Sequence, residues 1–547
     1  MRSLAPLCLF AISLLASHTE ATPKKRSRPT PEPVLSQAEL HEALTTLSEA
    51  LRGAQVTWHV QDLKSGAVYS SRSPDQLMHP ASTNKLATTA VALDTLGAQF
   101  KYTTRLWASP PLSPPPSAQA TSQTSDLKTE RVVVDERPPI TLYWEASGDP
   151  KITKQVFQGW VKSLQTQGVT RVSGLVIDGH QFTDQPLAPG YERAPEDDAA
   201  YRAAAGAVGF DFNRLVVRVR PGKVGRAPRV SLIPPIPSAR VVNTANTTKT
   251  GREQLSITLH EQPDEQVLIE VKGSIPRYVK KKRFKGISVA RRAPFPTRFA
   301  GEALLTTLAQ AGIKLSPKAS VTLGRLPPKK ERSLLLTHRS PALSKLLHDI
   351  NTYSNNFMAE QTLLTLGLHK GGFGGWREGV EFVRKALKAR FKLSGFDYVN
   401  GSGLFGDAGF SARQLTSLLR RADQLSRGRF AKTLPRSQRE GTIRRRFKAL
   451  PRGAVRAKTG TLDGVSTLCG YLSTRQRQPL TFCVMMAGFH KDLLKEARET
   501  QDRMVQAMWR LKNPHPPKRR KKRSKTAKQR RSPRAKDKQK TRRSVKR

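Results

Sequence analysis

Cysteine is scarce, with three in 547 residues, and one of these, Cys8, sits inside an N-terminal apolar run. The other two, Cys469 and Cys483, cannot complete a tetrahedral zinc site unaided, and no H-E-x-x-H sequence occurs. No metal or other cofactor is therefore expected. Both cysteines lie in apolar segments flanking a turn near Gln476, where antiparallel pairing would set them opposite each other and allow a disulfide in an oxidising compartment. The reading favours two buried free thiols, since unpaired cysteine is commonly a core residue.

Acidic residues are also few: 42 against 95 Lys and Arg, a net charge of +53. A Lys/Arg-rich stretch with Pro and Ser runs from residue 514 to 547 with almost no apolar residues, so it cannot bury a core and is expected to be disordered. It is either a solvated tail or an anchor for anionic envelope polymers, because clustered cations release counterions from a charged polymer. No nucleic-acid partner is expected for an exported chain. Aromatics are only 6%, but Leu, Val and Ala bring the hydrophobic share to 37%, enough for the two or three cores that this length implies.

Long apolar runs are missing as well. None reaches the roughly 20 residues that cross a bilayer. The run 4–16, preceded by Arg2 and followed by Thr19-Glu20-Ala21, reads as a secretory signal cut near Ala21, with no lipobox cysteine at the cut. The expectation is an exported, periplasmic protein, soluble or peripherally attached. No G-x-S-x-G elbow occurs, and Gly401-Ser402-Gly403 has the wrong spacing for one. No internal repeat is visible.

What is present is three short motifs in a fixed order: Ser82-Thr83-Asn84-Lys85, Ser354-Asn355-Asn356 and Lys458-Thr459-Gly460. Serine is a weak nucleophile at neutral pH and needs a base. Lys85, three residues on, shares a helix face with Ser82, and burial beside a second cation, Lys458, would depress its pKa enough to serve. Ser354 can relay a proton to a leaving nitrogen, and Asn356 can bind the substrate's peptide amide. Lys458 and Thr459 suit a carboxylate, Gly460 lets a substrate lie along a strand edge, and the N–H groups of Ser82 and Thr461 suit an oxyanion. Each motif alone is weak, as the decoys Lys249-Thr250-Gly251 and Ser82-Thr83-Asn84 illustrate. Order and context single out the three.

Helical spacing is predicted from residue 35 to 51, after Ser82, and over 300–312, 343–366, 376–391, 411–425 and 492–511. Strands are predicted at 56–60 and 67–70 about Lys64-Ser65-Gly66, at 140–144, 171–177 and 214–220, within 229–288, and in 455–487. Residues 110–139 read as a loop or linker. The two ends of the chain can thus make one domain with the middle inserted.

The triplet resembles the penicillin-binding proteins and serine β-lactamases. Its first gap, 272 residues from Ser82 to Ser354, is too long for a compact β-lactamase and is similar to the class C low-molecular-mass penicillin-binding proteins, the D-alanyl-D-alanine carboxypeptidase/endopeptidase family. Also similar are Pro80-Ala81-Ser82, Ser147-Gly148-Asp149-Pro150, Gly174-Leu175-Val176-Ile177-Asp178, Phe210-Asp211-Phe212-Asn213, the run from Ser354 to Glu360, and Gly401-Ser402-Gly403-Leu404. The likeness covers roughly residues 34–511. It implies an α/β (α+β) fold: a transpeptidase/β-lactamase-like domain (34–107 and 336–511), a strand-rich domain inserted after the nucleophile helix (108–220 and 296–335) and a third nested within that (221–295). These lie between a signal (1–21), a basic linker (22–33) and the tail (512–547).

The resemblance further implies peptidoglycan stem peptides as substrates, cleavage of D-Ala-D-Ala and of D-Ala-diamino acid cross-links through an acyl-enzyme on Ser82, and β-lactams as covalent inhibitors. Asp149 would receive the amine of the diamino acid, unless its Gly-Asp-Pro context only forms a turn. Two departures stand out: Asn400 replaces the Asp that usually precedes Gly-Ser-Gly, and the basic tail is foreign to the family. The alternatives are a β-lactamase-like hydrolase and a non-catalytic wall-binding protein.

Overall fold

The computed structural model of the protein describes residues 32–111, 138–185 and 187–513. The predicted signal, most of the 22–33 linker, most of the 110–139 loop and the tail from residue 514 lie outside the described residues.

The motifs are carried by a five-stranded antiparallel sheet. Its strands are β1 (Gln55–Asp62), β2 (Val68–Arg72), β3 (Val455–Leu462), β4 (Val465–Ser473) and β5 (Pro479–Ala487), in the spatial order β3-β4-β5-β1-β2. Both ends of the chain contribute, because β1 pairs with β5 from Gln55 opposite Ala487 to Asp62 opposite Leu480. The flanking helices are α1 (Gln37–Glu49), α2 (Lys85–Leu96), α3 (Leu343–Tyr353), α4 (Asn356–Gly371), α5 (Trp376–Ala389), α6 (Ala412–Ser426) and α7 (Leu494–Trp509).

β4 and β5 read as continuous apolar runs because the sheet is covered on both faces, and the period of two sorts their side chains. Leu468, Leu472, Phe482, Val484 and Met486 join a core that takes in Leu40 and Leu44 of α1 and Met504 and Met508 of α7. The alternate residues, Cys469, Tyr471, Cys483 and Met485, face the layer of α2 and α6. Ser36 caps α1 in a capping box with Glu39, which fixes where that helix starts.

A second sheet is built from the middle of the chain. Its main path runs Lys314–Leu315, Arg171–Asp178, Ile140–Glu145, Thr103–Ser109 and Ser333–Arg339, and Val321–Leu323 also pairs with Arg171–Asp178. Helices Lys154–Thr166 and Pro296–Gln310 contribute to its core, where the Phe157 and Phe210 rings stack at 4.4 Å and Trp144 meets Trp160 edge-on at 5.3 Å. Sequence periodicity assigns no element to Lys154–Thr166 and starts the later helix four residues late. Further strands between Arg214 and Arg292 form smaller antiparallel and mixed sheets.

Two expectations need correction. The single helix predicted over 343–366 is two, α3 and α4, broken where Ser354 turns left-handed at φ 55 and Asn355 caps α4 through the Met358 N–H. Helical periodicity continues across the break because both helices bury an apolar face in one core, so the pattern conceals it. The two expected free thiols are instead joined as a Cys469–Cys483 disulfide. The residues are opposite each other in the β4–β5 register and share the face toward α2 and α6.

The bridge closes a loop of 14 residues. Replacing both cysteines by Ala is expected to cost about 3 kcal/mol, read as a lowered thermal midpoint. A wild-type midpoint insensitive to reductant under denaturing exchange would show that the bridge contributes nothing.

Candidate active site

Ser82 lies in a 3-10 turn, Ala81–Asn84, that runs directly into α2. The turn is strained, since Ala81 has φ 47, a conformation costing about 1–3 kcal/mol for a residue with a side chain. Its surroundings hold it there. The Pro80 carbonyl accepts from the hydroxyls of Thr83 (2.6 Å) and Thr467 (2.8 Å), and the Ala81 N–H donates to His79 Nδ1. A Cβ added at Gly403 would lie 2.3 Å from the Ala81 oxygen, and one at Gly460 would lie 2.7 Å from the Pro80 oxygen and 2.1 Å from Thr467 Oγ1. The glycine of Lys458-Thr459-Gly460 is therefore required to seat the serine's turn, and the same residue lines the cavity in front of Ser82.

Lys85, the first residue of α2, is fully buried. Its Nζ is 2.9 Å from Ser82 Oγ, 2.7 Å from Asn356 Oδ1 and 2.8 Å from the Ser402 carbonyl oxygen. Burial lowers its pKa to about 7, and the charge of nearby Glu360 acts in the opposite direction. Asn356 Oδ1 and the Ser402 carbonyl can only accept hydrogen bonds. A neutral amine has two N–H groups for them, which turns its lone pair toward the Ser82 hydroxyl.

Glu360 is buried behind this amine and accepts from the N–H groups of Gly401 and Ser402, each at 2.8 Å. Burial raises its pKa. It thereby holds the loop whose carbonyl meets Lys85. Sequence reasoning places Glu360 inside a motif but assigns it no task. The available signal is its position four residues after Asn356, hence on the same face of a helix that is otherwise apolar there.

Ser354 ends α3 and receives a hydrogen bond from Lys458 Nζ at 2.8 Å; the same Nζ donates to the Thr459 carbonyl. Lys458 is fully buried, which holds its pKa well below the ordinary amine value, with the charge of Lys85 a lesser cause. Asn356 also donates through Nδ2 to the Tyr201 carbonyl at 2.8 Å.

A cavity of about 770 Å³ opens in front of these groups. Ser82, Ser354, Thr459, Gly460, Thr461 and Arg498 are among its walls. Lys85 and Lys458 are fully buried behind them, and Asn356 is half-buried. Arg498 donates to Thr461 Oγ1 at 3.2 Å, and Thr459 Oγ1 donates to Thr442. β3 is the edge strand, so the outer backbone of residues 458–462 has no strand partner among the described residues. A more apolar cavity of about 500 Å³, with Phe182, Val208, Phe295 and Leu323 in its walls, contains none of the motif residues.

Asp149 is the one predicted site residue that the structure places elsewhere. Its side chain is buried, with Oδ1 accepting from the Lys151 N–H at 2.8 Å and Oδ2 lying 3.4 Å from His338 Nε2. It shapes a turn, as its Gly-Asp-Pro context allowed, and cannot receive a ligand from the cavity. Asn400 donates to the carbonyls of Pro189 and Phe405 and accepts from the Gly403 N–H. A carboxylate could not make the first two bonds, so the departure at this position is built into the loop.

Known proteins resemble this chain in sequence and in fold. The family described as D-Ala-D-Ala carboxypeptidase 3 (S13) matches residues 36–113 and 118–510. A D-alanyl-D-alanine carboxypeptidase of Actinomadura sp. is 27% identical over 469 residues, 82% of this chain and 81% of the relative. The D-alanyl-D-alanine carboxypeptidase DacB of Haemophilus influenzae is 22% identical over 457 residues, 80% of this chain and 86% of the relative. The crystal structure of penicillin binding protein 4 from Haemophilus influenzae shares the fold, with a TM-score of 0.69 at 18% identity, covering 85% of this chain and 98% of that one. With its α/β architecture and a family match that runs through all three motifs, the chain belongs to the D-Ala-D-Ala carboxypeptidase 3 (S13) family of peptidases.

Proposed function

We propose that Ser82 is the nucleophile of a serine D-Ala-D-Ala carboxypeptidase that also cleaves D-Ala-diamino acid cross-links, and that segments 34–107 and 336–511 form the unit carrying the site. The observation that carries this reading is the arrangement of Lys85, whose two acceptor partners leave its lone pair directed at Ser82 Oγ.

In the forward step Lys85 takes the hydroxyl proton as Ser82 Oγ attacks the carbonyl carbon before the terminal D-Ala. The oxyanion is met by the N–H groups of Ser82 and Thr461, and the second N–H of Asn356 Nδ2 takes a substrate carbonyl. The C–N bond then breaks as Ser354, oriented by Lys458, delivers its proton to the leaving amine and takes in its place the proton held by Lys85, which returns that amine to its neutral form. Water attacks the resulting ester and returns the proton to Ser82. Lys458 is too deep to hold the substrate's carboxylate directly; Thr459, Thr461 and Arg498 front the cavity and take that task. β-lactams would acylate the same serine, and a structure of the Haemophilus influenzae penicillin binding protein 4 is of a complex with a β-lactam.

Peptide stems of peptidoglycan lie outside the plasma membrane, and the Cys469–Cys483 disulfide supports an oxidising location. Among the described residues no helix is long and apolar enough to cross a membrane. The exported location, the signal cut near Ala21 and the role of the basic tail as an anchor for anionic envelope polymers belong to this proposal.

Incubating the protein with a pentapeptide stem and a cross-linked dimer should release D-Ala, split the dimer or do both, and Ser82→Ala should lose at least about 10³-fold in kcat. Mass spectrometry should find a penicilloyl adduct on Ser82. Equal turnover by the variant would remove the nucleophile assignment, and rapid loss of the adduct would favour a β-lactamase.

The lowered pKa of Lys85 sets a pH dependence. Its neutral form exists above pH about 7, so kcat/KM should rise tenfold per pH unit below that value and level off above it. Glu360 raises the pKa of Lys85, so Glu360→Gln should move this limb to lower pH as well as reduce kcat. A pH profile unchanged in position would mean that Glu360 acts on the loop alone.

A further inference from the structure

The cavity continues beyond the reacting serines. Thr442 on its rim also lines a second groove of about 480 Å³, whose other walls include His348, Tyr353, Arg439 and Arg444. The turn that carries Thr442, Gly441–Ile443, is fastened to the end of α3. Gly441 has φ 51, and a Cβ there would lie 2.0 Å from the Thr352 carbonyl oxygen, two residues before Ser354. The groove wall thus packs directly against the end of the helix that carries Ser354.

The groove wall carries Arg439 and Arg444 against one acid, Glu440, and lies in a strongly basic part of the chain. Residues 427–456 contain eleven Lys and Arg and one acid, Glu440. That acid is engaged by Arg436 at 2.9 Å, with His348 4.0 Å away. Arg439 and Arg444 in the groove wall, and Arg445 and Lys448 close to them in the chain, are exposed, and none has an ion pair among the described residues. Cations gathered without counter-charge raise the local concentration of anions. Tyr353, 68% exposed, adds an aromatic surface to the same groove.

We propose that this groove is an extended subsite for polymeric substrate, binding the carboxylates of stem peptides adjacent to the one being cut. The proposal rests on the peptidoglycan reading above and narrows it: a multiply charged wall polymer engages the groove, whereas a short soluble peptide reaches only the cavity.

The test measures binding without cleavage. Full-length Ser82→Ala protein is cosedimented at graded salt with peptidoglycan sacculi stripped of covalently attached phosphate polymers. The same chain carrying Arg439→Gln, Arg444→Gln, Arg445→Gln and Lys448→Gln is compared. Kd should rise about tenfold in the combined variant and depend less steeply on salt, and Arg439→Lys, Arg444→Lys and Arg445→Lys together should bind as the parent does. In the Ser82 protein, KM for sacculi should rise about tenfold more than KM for soluble pentapeptide. An unchanged Kd on stripped sacculi overturns the proposal, and so does a difference confined to unstripped sacculi, which would assign the groove to phosphate polymers. Because the binding arm needs no turnover, an inactive enzyme would count against the acyl-enzyme reading, while the Kd comparison would still decide the role of the groove.

Discussion

The site depends on keeping one lysine amine out of water. An ammonium in solution has no lone pair to offer a serine, and the structure removes that obstacle by burying Lys85 completely. Burial alone would leave the group without direction. Two obligate acceptors, Asn356 Oδ1 and the Ser402 carbonyl, point its hydrogens away from Ser82, so desolvation and geometry favour the same protonation state. Glu360 moderates the effect: its charge raises the amine's pKa, and its two backbone hydrogen bonds hold the Ser402 carbonyl where the amine needs it.

Much of the remaining structure serves to hold this arrangement under strain. Ala81 adopts a backbone conformation that a residue with a Cβ avoids, and it does so between two glycines, Gly403 and Gly460, that leave no room for anything larger. Ser354 is likewise left-handed, at the junction of two helices. Strained residues persist only where packing over-determines them. Here the packing comes from a sheet whose strands are drawn from both ends of the chain and are buried on both faces.

Charge is distributed unevenly over the protein, and its placement matters more than its sum. The cations behind the cavity wall, Lys85 and Lys458, are dehydrated and shifted toward neutrality. Arg498 at the rim and Arg439 and Arg444 along the adjoining groove are exposed to water. The first group is suited to chemistry, the second to attraction of anionic material, and the two meet at Thr442.

The three motifs, their order and the long gap between the first two were legible in the sequence because the chemistry needs those residue types, and spacing identifies the family. The strands of the sheet were legible from apolar runs. Other features followed from packing between distant segments. Helical periodicity ran on through Ser354 because α3 and α4 bury faces in one core. The pairing of Cys469 with Cys483 required the register of β4 against β5. Asp149 looked available for a ligand until its neighbours His338 and Lys151 closed around it. A linear chain shows which groups can react, but only tertiary structure shows which of them water reaches, and that is what settles their pKa values and partners.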